Sequence, residues 1–518
     1  MLLSINASPA INTNRASWPK RSHTRKIAIR PLSTTPVSHA TSPTSPRLSA
    51  QALAETQASK DAEPTSARNS AMLHRSIKTE PMQVVAGRQR HLIFSNGQAV
   101  LDSTCGAAVS CIGYGNERVK RAMIEQIDKF AYANSMFFGH PIGEELAAEL
   151  IAGTDGVMSK AYIMCSGSEA MESAMKMARQ YYTELSPKQT ERVNFIARKG
   201  SYHGTTLGSL SMSGHVARRS LFEDMLLSNT HHVSPCNAYR GMKEGQTTEE
   251  YVEQLADELD RKFQELGPET VCAFVAEPVV GATLGCVPAV PGYFPAMKKV
   301  CEKYGALLIL DEVMSGMGRS GTLHAWQQEG VTPDIQTLAK GLGGGYAPIA
   351  GMLINHRVAD VLKRGSGSFL HGHTYQGHPV GCAAALEVQR IIREENLVDR
   401  VKESGKLLSS LLHEYLDDHP YVGNIRGKGL FWGIEFVADK GTKTPFPPSA
   451  GVANAIHTEG LLVEGISLYP GTGTKDGVEG DHVLLSPAYN STKEEIEEIA
   501  LKTRNAVVQA FEKLQYFS

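Results

Sequence analysis

Two uninterrupted apolar runs, Val271 to Ala276 and Ala306 to Leu310, each end on an acidic residue, Glu277 and Asp311. A strand with one wet face alternates apolar and polar residues. A strand that is apolar at every position needs cover on both faces. Both runs have strand length, and helical patterns near 247–264 and 291–304 lie around them. This confines the region to an α/β fold with a mostly parallel sheet between helical layers. In such sheets the carboxyl ends of the strands open into the ligand crevice, which places Glu277 and Asp311 at its mouth.

The rest of the chain extends the pattern. Short apolar segments at 161–164 and 194–197 read as further strands, and a helix is expected from Glu169. Residues 91–101 read as a hairpin turning at Asn96-Gly97, residues 116–130 and 144–151 as helices. After Pro379 the character changes. Helices near 381–395 and 398–416 lead into the apolar stretch 429–436 and a last helix near 493–513. A chain of 518 residues is too long for one small core. The expected division is a leader or disordered tail over 1–71, a segment over 72–126 contributing to a small domain, a large domain over 127–380 and a smaller α+β domain over 381–518.

Composition narrows the function classes. With 52 basic and 54 acidic residues the formal charge is -2, which offers no electrostatic reason to expect nucleic acid or an anionic membrane as partner. The longest apolar stretch, 271–290, is broken by Glu277, Pro278 and Pro288 and is not a membrane span. Eight scattered cysteines without a CxxC read as free thiols of a reducing compartment, and no histidine grouping has metal-site spacing. The first 54 residues lack Asp and Glu but carry Arg15, Lys20, Arg21, Arg25, Lys26, Arg30 and Arg47. That composition reads as an organelle-import leader, with the mitochondrial matrix as destination, or alternatively as an uncleaved disordered tail of a cytoplasmic protein.

The chemistry-bearing residues lie along the same strand-to-helix junctions. Lys340 stands between the apolar Thr337-Leu338-Ala339 and a glycine cluster, where its amine can reach a carbonyl cofactor; a surface lysine before a turn is the bland alternative. Asp311 can pair with a protonated ring nitrogen and so make a ring a better electron sink, or simply cap a turn. Ser166-Gly167-Ser168-Glu169 falls between a strand and a helix, where free backbone N–H groups suit a phosphate or where Ser166 is only an N-cap. Tyr202, in Tyr202-His203-Gly204, can stack on a planar group or sit in the core. Thr374, in the polar run 372–379, can serve a phosphate. The glycines after Lys340 are in the wrong order for a P-loop.

In this order the motifs resemble those of the class III, fold-type I pyridoxal-phosphate aminotransferases, over about residues 72–515. The resemblance implies a large domain with a seven-stranded, mostly parallel sheet and a ping-pong transfer from an amine or amino acid donor to a 2-oxo acid or other carbonyl acceptor. It implies Lys340 as the residue joined to the cofactor aldehyde and Asp311 as partner of the ring nitrogen. Val313 and Tyr202 are implied on the two ring faces, Gly167 and Ser168 at the phosphate, and Glu277 beside cofactor and substrate. Tyr132 and Phe137 fall in the segment that lines the substrate pocket. Thr374 matches a threonine that reaches the neighbouring subunit's phosphate, which implies a homodimer. A relative that shifts an amino group within one molecule, or that releases carbon dioxide, is the alternative within this fold.

One departure stands out. Ornithine- and 4-aminobutyrate-type members carry a carboxylate-binding arginine just before the C-terminal proline motif. Here that stretch is Val483-Leu484-Leu485-Ser486-Pro487, with leucine where the arginine would fall. Leucine cannot replace a bidentate guanidinium. Arg240, Arg426 or another cation is the candidate for a replacement.

Overall fold

Why the two apolar runs are apolar throughout is plain from their neighbours in a computed structural model that describes residues 70–515. The leader or tail read over 1–71 lies, except for Ser70 and Ala71, outside the described residues. The central sheet has seven strands, in spatial order Met158–Met164, Ala350–Asn355, Ile335–Leu338, Leu307–Asp311, Val271–Ala276, Asn194–Arg198 and Thr230–Val233. Ala350–Asn355 runs antiparallel to both of its neighbours, and the remaining pairings are parallel. Ile309 stands in register with Val275 on one side and Ile335 on the other.

Every residue of Val271–Ala276 and of Leu307–Asp311 is buried. Leu307 and Ile309 pack with Ala170, Ala174 and Ala178 of the helix Gly167–Glu184. These alanines recur at four-residue spacing, so that helix presents one small-residue stripe and lies close to the sheet. On the opposite face Leu308 and Leu310 share a core with Leu255 and Leu259 of Thr248–Leu266 and with Phe294 and Met297 of Tyr293–Lys303. Each such side chain contributes about 1.5–3 kcal/mol relative to leaving it in water. Helix starts follow sequence signals. Thr247 Oγ1 accepts from Glu250 N (3.2 Å) while Glu250 Oε2 accepts from Thr247 N (2.9 Å), closing a capping box.

Three smaller sheets complete the residues from Pro81 on, the smallest being Val279–Val280 paired with Val287–Pro288. Val422–Lys428, Phe431–Phe436, Asp481–Leu485 and Tyr469–Gly471 form an antiparallel sheet. A core of Leu408, Leu412, Ile434, Val483, Ile496 and Val507 joins it to the helices Leu397–Leu416 and Lys493–Gln515. The expected hairpin is present as His91–Phe94 paired with Ala99–Asp102, and Gly97 at its turn has a φ of 86°. Ala99–Asp102 also pairs, in parallel, with Ile466–Ser467, so an early strand is stitched to the last hundred residues. Residues 70–80 contain no helix or strand. All eight cysteines are free, seven of them buried, and no described helix is long and apolar enough to cross a membrane.

Candidate active site

Lys340 follows the end of the strand Ile335–Leu338 and has a φ of 46°, in the left-handed region that non-glycine residues avoid at a cost of about 1–3 kcal/mol. The backbone around it holds that geometry. Lys340 O accepts from Gly343 N (3.1 Å) and Gly344 N (3.0 Å), and Ala339 O accepts from Leu342 N (2.9 Å). The glycines serve this turn. A Cβ at Gly343 would stand 2.5 Å from Ile349 Cγ2, and Gly344 has a φ of 56°. A rigid, strained turn thus fixes where the lysine side chain begins.

The amine shares one cavity with Gly167, Ser168, Tyr202, Glu277, Asp311 and Val313, together with His203, Gly204 and Met314. Asp311 Oδ2 accepts from His203 Nδ1 at 2.8 Å, with side chains 4% and 0% exposed. Asp311 Oδ1 accepts from Val313 N (3.0 Å) and Thr337 Oγ1 (3.3 Å). His203 itself is held by its amide, which donates to Ser213 Oγ (2.7 Å). Burial pushes the Lys340 amine down from 10.5 to about 8; the negative charges of Asp311 and Glu277 oppose that change, and the positive charges of Arg218 and Arg319 add to it. Glu277 follows the neighbouring strand and accepts from Tyr202 N (3.0 Å) and Gly281 N (3.2 Å), while Arg198 holds its backbone carbonyl. Burial raises the Glu277 carboxyl above the usual range, and its neighbour Asp311 pushes the same way.

Opposite Lys340 the helix Gly167–Glu184 begins. Ser166 caps it by accepting from Glu169 N (3.2 Å), and the first-turn amides of Gly167 and Ser168 have no intrahelical partner by position. Close packing aims them. A Cβ at Gly167 would lie 3.0 and 3.1 Å from the Val313 methyls, and one at Gly204 would meet Ser168 Oγ at 2.5 Å. A depressed amine, a buried carboxyl group held by three donors and a helix N-terminus surrounding one cavity fit a flat, phosphorylated aromatic aldehyde carrying a basic ring nitrogen.

Three residues chosen from sequence do not line this cavity within the chain. Thr374, Tyr132 and Phe137 are exposed, the last two by 46% and 70%, on segments joined by a Tyr132–Tyr375 ring contact at 6.0 Å. Arg240 and Arg426 are not free cations. Both pair with the buried Glu435, Arg240 Nε at 2.7 Å and Arg426 Nη1 at 2.6 Å. Leu484 is buried with Val279 and Met314, so an apolar side chain occupies that side of the Glu277 loop. Sequence reasoning missed His203 as the partner of Asp311. Its only signal was its place beside Tyr202 after the strand Asn194–Arg198.

Comparisons with known proteins bear on this geometry. The model of the family described as aminotransferase class-III matches residues 74–504. An aminotransferase of Gibberella zeae is 68% identical over 446 residues, covering 86% of this chain and 87% of the relative. An uncharacterised aminotransferase of Schizosaccharomyces pombe is 49% identical over 428 residues, covering 83% of this chain and 93% of the relative. Among solved structures, an omega transaminase from Pseudomonas jessenii in complex with PMP superimposes with a TM-score of 0.78 at 32% identity, covering 84% of this chain and 94% of that one.

The depressed amine is testable in cofactor-free protein. A lysine is nucleophilic only when neutral, so trapping of Lys340 by a small aldehyde and borohydride, read by peptide mass, rises with pH around a midpoint near 8. Asp311→Asn removes a charge that favours the ammonium, and the midpoint moves lower. A midpoint at the value of surface lysines contradicts the buried placement.

Proposed function

The chain belongs to the class III aminotransferases, pyridoxal-phosphate enzymes that carry an amino group from a donor to an oxo acceptor in a ping-pong cycle, and we propose that the cavity at Lys340 is where it does so. The observation that carries this reading is the convergence of a depressed lysine amine and a histidine-bonded aspartate in one buried cavity. Pyridoxal phosphate, when bound, supplies a ring that accepts electrons from the α-carbon of an attached amine. Every other part of the task falls to the chain. The Lys340 amine would hold the aldehyde between turnovers and, when free, would serve as the base that takes the α-proton and the acid that returns it. Its turn and partial burial keep it in reach.

Asp311 would pair with the ring nitrogen, and His203, Val313 N and Thr337 hold its carboxyl in place for that. Val313 and Tyr202 bracket the ring. The amides of Gly167 and Ser168 and the positive end of their helix receive the phosphate. Glu277, with its carboxyl raised by burial, would stand beside the ring as a further hydrogen-bonding group.

A homodimer completes the site. Met136, Phe137 and Leu370 are 79%, 70% and 76% exposed, and Phe138 and Tyr375 are exposed in the same segments, large apolar side chains that a second copy would cover. His140 Nε2 donates to Gly377 O (2.7 Å), and His373 Nε2 donates to Glu169 Oε1 (2.9 Å), so the segments carrying Tyr132, Phe137 and Thr374 are held as one ledge. Facing a second copy, that ledge sends Thr374 to the neighbour's phosphate and Tyr132 and Phe137 to its substrate pocket. Residues 127–380 form the large domain, and 72–126 with 381–518 the small one, a division supported by the pairing of Ala99–Asp102 with Ile466–Ser467. Residues 1–71 act as a mitochondrial import leader, supported by their lack of acidic residues up to position 54.

Lys340→Ala lowers multiple-turnover amino transfer to an added 2-oxo acid by at least ~10²–10⁴-fold, the worth of a positioned acid–base group. Undiminished transfer in that variant, or amino migration within one molecule or carbon dioxide release in the wild type, overturns the assignment. Thr374→Ala weakens retention of the phosphate cofactor by about 10-fold or more, measured by equilibrium dialysis, since it removes a hydrogen bond to a charged group. Unchanged affinity removes Thr374 from the site. A reporter fused to residues 1–71 enters mitochondria; a reporter that stays cytosolic refutes the leader.

A further inference from the structure

The loss of the C-terminal arginine leaves the substrate carboxylate without its usual partner, and most cations near the cavity are committed elsewhere. Arg240 and Arg426 hold Glu435. Arg319 is fully buried and donates to Leu430 O (3.0 Å) and Pro487 O (2.6 Å). Arg198 is buried on the Glu277 carbonyl. Arg219 donates to Ser211 O and Ser213 O, each at 2.6 Å, and pairs with Glu223.

Arg218 differs from all of these. Its guanidinium lies 4.9 Å from the centre of the Tyr202 ring, with no carboxylate or carbonyl partner among the described residues. It is half-buried, and its positive charge is felt at Lys340. Tyr202 lines the cavity itself, so Arg218 stands at the wall of the site with its fork of donors uncommitted.

A loop from elsewhere in the chain sets that position. Gly477 packs against Val216, where a Cβ would come within 3.0 Å, and Gly477 O accepts from Ala217 N (3.4 Å). His215 Nε2 donates to Thr472 O (3.3 Å), and Thr474 Oγ1 donates to Glu435 Oε1 (2.8 Å). The acids of this loop do not compete for Arg218. Glu479 pairs with Lys475 at 2.7 Å, and Asp476 accepts from the amides of Val478 and Glu479.

We propose that Arg218 is the specificity-determining cation that binds the carboxylate of amino acid donors and oxo acid acceptors, taking over from the absent arginine. A planar guanidinium matches a carboxylate bidentately, and a ring face holds it less strongly than a partly desolvated anion does. The Gly473–Gly480 loop, tied through Thr474 to Glu435, fixes the short helix Val216–Arg219 that carries it. The proposal rests on the reading of the Lys340 cavity as the transfer site.

The test compares wild-type holoenzyme with Arg218→Leu and Arg218→Lys. Amino donors are each paired with the amine that lacks their carboxylate, and the ratio of the two half-reaction rate constants is read from the cofactor spectrum. Butanoate, which cannot react, serves as a binding probe by calorimetry. In Arg218→Leu the ratio falls, and the butanoate dissociation constant rises, by about 10- to 100-fold, with partial recovery in Arg218→Lys. A ratio and a dissociation constant within about 2-fold of wild type overturn the proposal, as does an equal loss with both members of every pair. If the wild type converts no donor at all, the transfer-site reading fails instead, and butanoate binding still decides for or against Arg218.

Discussion

The hydrogen bond from His203 to Asp311 gives a carboxyl group a fixed partner at the buried end of a sheet strand. An anion taken out of water without partners neutralises instead of keeping its charge. Asp311 is not left without partners, because His203, Val313 N and Thr337 all donate to it. Those donors come from the junction after Asn194–Arg198, the turn after Leu307–Asp311 and the adjacent strand Ile335–Leu338. The same contacts therefore tie together the ends of three strands of the sheet and hold the floor of the cavity. Lys340, a few residues beyond Thr337, inherits its placement from that floor, and the negative charge beneath it moderates the fall that burial imposes on its amine.

Glu277 follows the neighbouring strand and accepts from two backbone amides, yet burial dominates and raises its carboxyl against the pull of His203. Leu484, packed with Val279 and Met314, supplies no cation to reverse the balance. The charged residues that once looked available for substrate, Arg240 and Arg426, are spent on Glu435, whose carboxyl the two guanidinium groups hold below its ordinary value against the cost of burial. Removing one member of such a triad leaves an uncompensated buried charge, so these arginines are fixed where they are. The loop bearing Thr474 shares that anchor, which links the antiparallel sheet to the wall of the site.

Much of this was legible in order along the chain. The continuous apolar runs, the acidic residues ending them, the strand–Ser-Gly-Ser–helix junction and the lysine before the glycines each carry a local signal with a local cause. The hairpin at Asn96-Gly97 and the capping box at Thr247 are of the same kind. The partner of Asp311 was not legible, because His203 is more than a hundred residues away and nothing about a lone histidine says which carboxylate it meets. The fates of Arg240 and Arg426 were hidden for the same reason, since Glu435 comes to them through strand pairing and loop packing.

Sequence alone determined the layered α/β architecture, because strand length, uniform burial and helical periodicity are set by neighbouring residues and the spacing of the backbone. It also determined which side chains carry the chemistry, because their types and order are written at strand ends. The tertiary structure decided which of them meet, how far burial shifts the amine of Lys340, and which arginine is left with its donors free. Those outcomes depend on desolvation and on partners brought together across hundreds of residues, and no local pattern encodes either.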